Sequence, residues 1–214
     1  MSDLPFDSFI ASESELRTLY RDPSPLVTAK ERPELDSATT TFLERCRFIA
    51  IGTFDADGNA DVSPRGGQSG FIRVLDSRHL AIADLGGNNR LDTMRNIIAS
   101  GRVAMLCVVP GQTETVRVNG RGWVTTDGKI LDGFTMARPT KSAIVVQVDA
   151  TFIHCAKALM RSGMWDEAVW AELADAPDAS DIIVAQGLLS KEVSAEVIRA
   201  DLQKDYAASI AAEQ

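Results

Sequence analysis

The spacing of apolar and polar positions divides the chain into three stretches. Over residues 1–47 polar residues mark helix starts. "SESELRTLY" opens with Ser12 and has Glu15 three residues later, the spacing of a capping box, so a short helix is expected there. "RDPSPLVTAKERPELD" holds three prolines and reads as an extended connector. Asp36 is placed to cap a second helix over "SATTTFLERCR".

From Phe48 the pattern changes to short β-branched and aromatic runs broken by turn residues. "FIAIGTF", the turn "DADG" and "NADVS" predict a hairpin. "FIRVL", "DSR" and "HLAIAD" predict a second. "LDTMRNIIAS" places Leu91, Met94, Ile97 and Ile98 on one helical face, with Gly101 as its stop. "RVAMLCVVP", "GQTE" and "TVRVNGRGWVTT" predict a third hairpin, with Gly120 and Gly122 marking a bulge or a close backbone approach. "SAIVVQVDATFI" is one more strand. From His154 the pattern reads as helical to the end, with Ser190 opening a last helix. Closely spaced antiparallel strands in one block predict a mainly β (α+β) barrel, and hairpin links argue against a doubly wound parallel sheet.

Composition narrows the function. Of 214 residues, 24% are charged and 45% hydrophobic, an ordinary globular balance. A net charge of −8 disfavours nucleic acid as a partner. No apolar run is long enough for a membrane helix, and the acidic N-terminus lacks signal-peptide character. Cys46, Cys107 and Cys155 are an odd count with no close pair, expected as reduced, buried thiols in a cytoplasmic protein.

Metal and nucleophile chemistry find little support. His79 and His154 are the only histidines, and neither has a second ligand at zinc-like spacing. No G-x-S-x-G is present, and His154 and Cys155 are adjacent, so their side chains diverge. Phosphate binding is better supported. "DVSPRGGQSG" carries Arg65 into a glycine-rich stretch. "DLGGNNRLDTMR" sets Asn88, Asn89 and Arg90 just before a helix N-terminus, where free N–H groups and the dipole favour an anion. An ordinary turn is the competing reading, and composition leaves both open.

In order, "FIAIGTFDADGNADVSPRGG", "HLAIADLGGNNRLDTMRNIIASGRVAMLCVV" and "ETVRVNGRGWVTTD" resemble the pyridoxamine 5′-phosphate oxidase-like family of flavin-binding split barrels, over roughly residues 40–165. The closest likeness is to a subgroup of FMN-dependent enzymes with a helical C-terminal extension, carried by "RPTKSAIVVQVDATFIHCAKALMRSGMW". The resemblance implies a six-stranded antiparallel split β-barrel with flanking N- and C-terminal helices. Residues 1–47 would be helices and connector, 48–153 the flavin-binding core and 154–214 the helical extension, all in one structural domain. It implies FMN at a homodimer interface, with an unidentified small-molecule substrate.

By the same resemblance, Ser63, Pro64, Arg65 and Gly66 run along the flavin and its phosphate. Ala83 and Asp84 meet the ring and ribityl chain. Asn89 and Arg90 sit at the phosphate, beside the Asn88 singled out above, and Thr115 reaches the flavin from the other subunit. Lys157, Arg161 and Trp165 cover the ring edge. Apolar residues on the "AMLCVV" and "AIVVQV" strands are candidates for the subunit interface, since a small barrel cannot bury all such faces internally; filling the barrel itself is the competing reading. No catalytic residue and no metal ligand is assigned. A non-catalytic flavin or haem carrier and a deazaflavin-dependent reductase are the alternatives. Asn89 stands where the family usually has arginine, and the C-terminal tryptophan-and-arginine segment of the vitamin oxidases is missing. Flavin binding is therefore better supported than vitamin oxidation.

Overall fold

The computed structural model describes residues 5–136, 138–187 and 193–211. Three helices lead in: α1 (Glu13–Leu19), α2 (Pro25–Ala29) and α3 (Ser37–Arg45). Ser12 Oγ accepts from the Glu15 N–H at 3.2 Å, as a cap should. The Glu15 carboxylate, however, takes the N–H of Ala11 rather than that of Ser12, so the box is only half made. The expected extended connector contains α2, because Pro25 is pre-set for the first helical position. Asp36 caps α3 through the Thr39 N–H at 2.8 Å. That bond, the largest influence on it, holds the Asp36 carboxyl below its usual range.

Among the described residues seven strands follow, the three hairpins and the further strand of the sequence pattern, one more than the six-stranded barrel of the resemblance: β1 (Phe48–Phe54), β2 (Ala60–Gly66), β3 (Ile72–Asp76), β4 (His79–Ala83), β5 (Arg102–Val108), β6 (Thr115–Thr125) and β7 (Ala143–His154). Helix α4 (Asp92–Ser100) separates β4 from β5, and α5 (Gly128–Leu131) separates β6 from β7. All pairs are antiparallel, in the order β2-β1-β5-β6-β7-β4-β3. Register shifts between Asn119 and Gly120, the expected bulge. A Cβ on Gly120 would collide with the Gln147 carbonyl oxygen, so only glycine fits that crossing.

The strand order forces the sheet to curl. β2 and β3 sit at opposite ends of the order yet are joined by residues 67–71 alone. Seven flat strands would set the edges ~29 Å apart at ~4.8 Å per strand. Six chain steps reach at most ~21 Å. The sheet therefore bends until its edges approach, leaving a seam that no ladder hydrogen bonds cross. The core agrees: Ile72 on β3 belongs to the same buried cluster as Ile49, Ile51, Met105, Val118 and Val146. Leu35, Leu43 and Cys46 from the N-terminal stretch close that cluster.

On α4, Met94 and Ile97 are buried, but Leu91 and Ile98 are 50% and 75% exposed. Leu91 lies outside the helix as its N-cap, which rotates the buried face to Thr93, Met94 and Ile97. All three cysteines are free, and Cys46 and Cys107 are buried as expected, but Cys155 is exposed, against the expectation of a buried thiol. Pairing of Ile49 with Cys107 brings two cysteines distant in sequence side by side. Contact with Cys46, then burial, pushes the Cys107 thiol well above the usual range.

Among the described residues four helices follow β7: α6 (Lys157–Ser162), α7 (Glu167–Glu172), α8 (Ala179–Ala185) and α9 (Ala195–Ala211). Ser190 lies outside the described residues. Arg199 of α9 is ion-paired with Asp178 and Asp181 at the start of α8. No helix among the described residues is long and apolar enough to cross a membrane.

Candidate functional site

A cavity of about 680 Å³ opens at the seam, between edge strand β2 and the segment leaving β4. Its volume lies inside the ~300–1,000 Å³ range of small-molecule sites. Nine of the residues singled out from sequence line it: Ser63, Pro64, Arg65, Gly66, Ala83, Asp84, Asn88, Asn89 and Arg90. They come from β2, from the end of β4 and from the loop before α4, and barrel closure brings them together.

The loop over residues 84–91 has features of both a turn and a cradle. Asn88 Oδ1 accepts from the Arg90 N–H at 3.0 Å, a local bond that shapes a turn. Asn89 and Leu91 both take φ of 59°, the left-handed region, whereas neither Gly86 nor Gly87 has a positive φ. The glycines expected to supply the unusual backbone therefore do not. A leucine in that conformation costs about 1–2 kcal/mol, and such strain clusters at ligand sites. Leu91 makes no side-chain cap, so the α4 N-terminus faces the cavity without a neutralising side chain at that position. Asp92, at the first helical position, instead pairs with Arg90 Nε at 2.7 Å. The Asp92 hydrogen bond and charge raise the Arg90 pKa.

Arg65 lies within β2 rather than in a loop after it. Its Nη1 donates to Asp84 Oδ1 at 3.0 Å across the seam, with 19% and 22% of the two side chains exposed. Its Nε is buried and has no partner. Asp84 is fixed in turn by its N–H to the Ser142 carbonyl at 3.0 Å. Thr140 Oγ1 stands 2.7 Å from the carbonyls of Asp84 and Ser142.

Sequence reasoning missed the third wall. Met136, Arg138, Thr140 and Lys141 line the cavity, as do Asp61, Phe71 and Thr93. The available signal was "RPTK", two cations ahead of the last strand. With Arg138 and Lys141 the lining holds four cations (Arg65, Arg90, Arg138, Lys141) against three carboxylates (Asp61, Asp84, Asp92). One positive charge in excess is notable on a chain of net charge −8. This surface suits an anionic ligand with a polar, hydrogen-bonding body.

Thr115, Lys157, Arg161 and Trp165 are not part of this cavity. Thr115 is buried opposite His154, at the far end of β6. Arg161 Nε is tied to the Lys157 carbonyl at 3.0 Å, and Trp165 Nε1 to the Gln112 carbonyl at 2.8 Å. Neither histidine lines the cavity: His79 Nδ1 is 2.9 Å from Asp76, and His154 meets the Phe152 ring edge-on at 5.8 Å. Among the described residues no cluster of His, Cys, Asp or Glu could hold a metal ion.

Similar structures include HupZ of Group A Streptococcus (17% identity, 55% of this chain and 92% of that one, TM-score 0.43). General Stress Protein 26 of Bacillus anthracis is another (14% identity, 53% and 88% covered, TM-score 0.40). A third is a Lactobacillus delbrueckii protein assigned provisionally as a pyridoxamine 5′-phosphate oxidase (25% identity, 56% and 95% covered, TM-score 0.44). At such scores the fold rests on the strand order above rather than on these likenesses. No curated protein matches the chain. The family model described as "Pyridoxamine 5'-phosphate oxidase" matches residues 35–155, more than half of the chain and the whole seven-stranded sheet. The chain belongs to the pyridoxamine 5′-phosphate oxidase-like family.

Proposed function

We propose that the chain is an FMN-binding flavoprotein and an FMN-dependent oxidoreductase acting on a small molecule. The observation that carries this reading is the seam cavity, where Arg65 Nε is buried without an acceptor and the α4 N-terminus lacks a cap. A phosphate beside Arg90 and that N-terminus, with the flavin body along Ser63–Gly66 and Ala83–Asp84, would supply the missing acceptors. Bound there, FMN provides two-electron redox chemistry. This chain's residues bind and orient it.

The protein works as a homodimer in a reducing compartment such as the cytoplasm, with the flavin at the subunit interface. Residues 48–153 form the flavin-binding core of one structural domain, which residues 1–47 and 154–214 frame. Thr115, Lys157, Arg161 and Trp165 then serve a cavity of the other subunit. The test is titration of the parent with FMN, riboflavin, a deazaflavin and haem, followed by absorption, where flavin absorbs near ~450 nm. Arg90→Ala should weaken FMN about tenfold and leave riboflavin unchanged, since only FMN carries the phosphate. Bleaching of the bound flavin by a reduced nicotinamide identifies an enzyme. Equal losses for FMN and riboflavin would mean that Arg90 acts through structure, and a haem or deazaflavin spectrum instead would overturn the FMN reading.

A further inference from the structure

A second cavity, of about 730 Å³, opens under the lead-in, between residues 29–39 with Phe42 and the far end of the β6–β7 ladder. It is remote from the seam. β7 runs from Ala143, paired with Ala83 of the seam cavity, to Thr151 at this one, a path of ~26 Å at ~3.3 Å per residue. The walls are fixed. The Arg32 N–H donates to the Thr151 carbonyl at 2.9 Å and the Thr151 N–H returns the bond at 2.7 Å. The Leu35 N–H meets the Ser77 carbonyl at 2.7 Å. The lead-in is thus pinned to the barrel at two points, and the space beside it is built rather than left by a loose end. Leu35, Phe42, Val116, Phe152 and Ile153 make much of the lining apolar, and Ile153 is 49% exposed.

Charge gathers along one side of it. Lys30 and Arg32 both line the cavity. Lys30 Nζ lies 5.9 Å from the centre of the Phe152 ring, a contact that leaves its charge unneutralised. Arg117 Cζ lies 4.8 Å from the same ring centre. None of these three cations forms an ion pair among the described residues. Two carboxylates, Glu34 and Asp36, also line the cavity. Asp36 is committed to the Thr39 N–H at 2.8 Å as the α3 cap, and Arg32 acts on it only through its field. Glu34 is exposed.

We propose that this second cavity binds an amphipathic carboxylate, its head group on Lys30 and Arg32 and its hydrocarbon tail along Leu35, Phe42, Val116 and Ile153. The volume lies within the ~300–1,000 Å³ range of small-molecule sites. An apolar lining open to water is stabilised by an apolar occupant, which selects the tail. The cations select the head. An alkylammonium would meet like charges, and a neutral alcohol would leave both cations unanswered. A carboxylate matches the planar fork of Arg32 and takes charge-assisted hydrogen bonds from it and from Lys30. A dianionic phosphate fits less well, because Glu34 and Asp36 stand on the same lead-in. The site is independent of the flavin reading, since it shares no lining residue with the seam cavity.

Titration calorimetry on the full chain with hexanoate, octanoate, octanol and octylamine tests this. Octanoate should bind the parent about threefold more tightly per added methylene than hexanoate. Octanol and octylamine should bind at least about tenfold more weakly than octanoate. Replacing both cations, Lys30→Gln with Arg32→Gln, should weaken octanoate about tenfold and leave octanol unchanged; Arg32 joins the ladder through its backbone alone, so the bridge to Thr151 survives. Ala38→Trp, which builds into the cavity from an exposed position of α3, should abolish octanoate binding. No octanoate binding by the parent, or equal binding of octanoate, octanol and octylamine, overturns the proposal. An equal loss of octanoate and octanol in the double variant would give the two cations a structural role and overturn the head-group placement. Octanoate that binds both variants as it binds the parent, or that FMN displaces, lies elsewhere, and the site is refuted. Octanoate affinity that falls as the protein self-associates would make a second copy the occupant and would equally refute it.

Discussion

Replacing Arg65 by lysine should move two properties in opposite directions. Among the described residues Arg65 Nε is buried with no acceptor. An unsatisfied buried donor costs about 1–3 kcal/mol, and the lower end applies to a side chain still 19% exposed. Lysine keeps a positive charge for Asp84 and removes the orphan donor. Ligand-free stability should hold or rise by up to ~1 kcal/mol, a gain of ~2–4 °C in melting temperature for a chain of this size. Binding should respond the other way. If a ligand oxygen meets Nε, its loss removes a charge-assisted hydrogen bond of ~1.5–3 kcal/mol, or roughly ten- to hundredfold in FMN affinity. Calorimetry on the ligand-free protein and fluorescence titration with FMN read the two quantities separately. A drop of several degrees together with the lost affinity would make Arg65 a brace across the seam, and the reasoning would fail. Unchanged affinity would place the ligand elsewhere.

Three further outcomes follow from local geometry. Gly87→Ala should leave ligand-free stability unchanged or raise it by ~0.4–1 kcal/mol in urea unfolding, since its φ is ordinary and its surroundings open; a clear loss would show that the glycine is conformationally required after all. Gly120→Ala drives a methyl into the Gln147 carbonyl and should cost at least ~2 kcal/mol in the same assay, with a neutral result meaning that the bulge is not tight. The Arg199 hydrogen bond, its leading cause, holds the Asp178 carboxyl far below the usual range. A depressed folded-state pKa means that this contribution is present above the unfolded carboxylate pKa and disappears as pH falls through the folded one. Amide exchange in α8 and α9 should therefore speed up only in strong acid, below the ordinary carboxylate range, and equally early loosening in Asp178→Asn and parent would remove this explanation.

Local features of the fold are legible in the sequence. Hairpins, the bulge at Gly120, the Asp36 cap and the Gly101 stop each depend on a few neighbouring residues, and each lies where expected. Long-range geometry was less legible. β3 and β4 pair locally, but placing β4 against β7 requires the whole barrel. The Cys46–Cys107 contact needs the β1–β5 register. On α4, a shift of the helix start past Leu91 turned two expected core positions outward. The loop glycines looked like the conformational device, yet Asn89 and Leu91 carry the positive φ. Residues 138–141 escaped notice because their role depends on where β7 begins, next to Asp84, and not on anything adjacent in sequence. On the "AMLCVV" and "AIVVQV" strands, Met105, Cys107, Ile144 and Val146 fill the barrel, while Ala104 is exposed and Leu106, Val109, Val145 and Gln147 are partly exposed.

The seam gives the barrel an adjustable aperture. Every ladder hydrogen bond lies on one side or the other of the gap between β2 and β3, so the two lips can part without breaking any of them. Three ties hold the lips together: the chain over residues 67–71, the buried Phe71 and Ile72 in the common core, and the Arg65–Asp84 pair at the surface. A ligand oxygen that took Asp84's place on Arg65 would release the surface tie alone, while the ladders and the core stayed made.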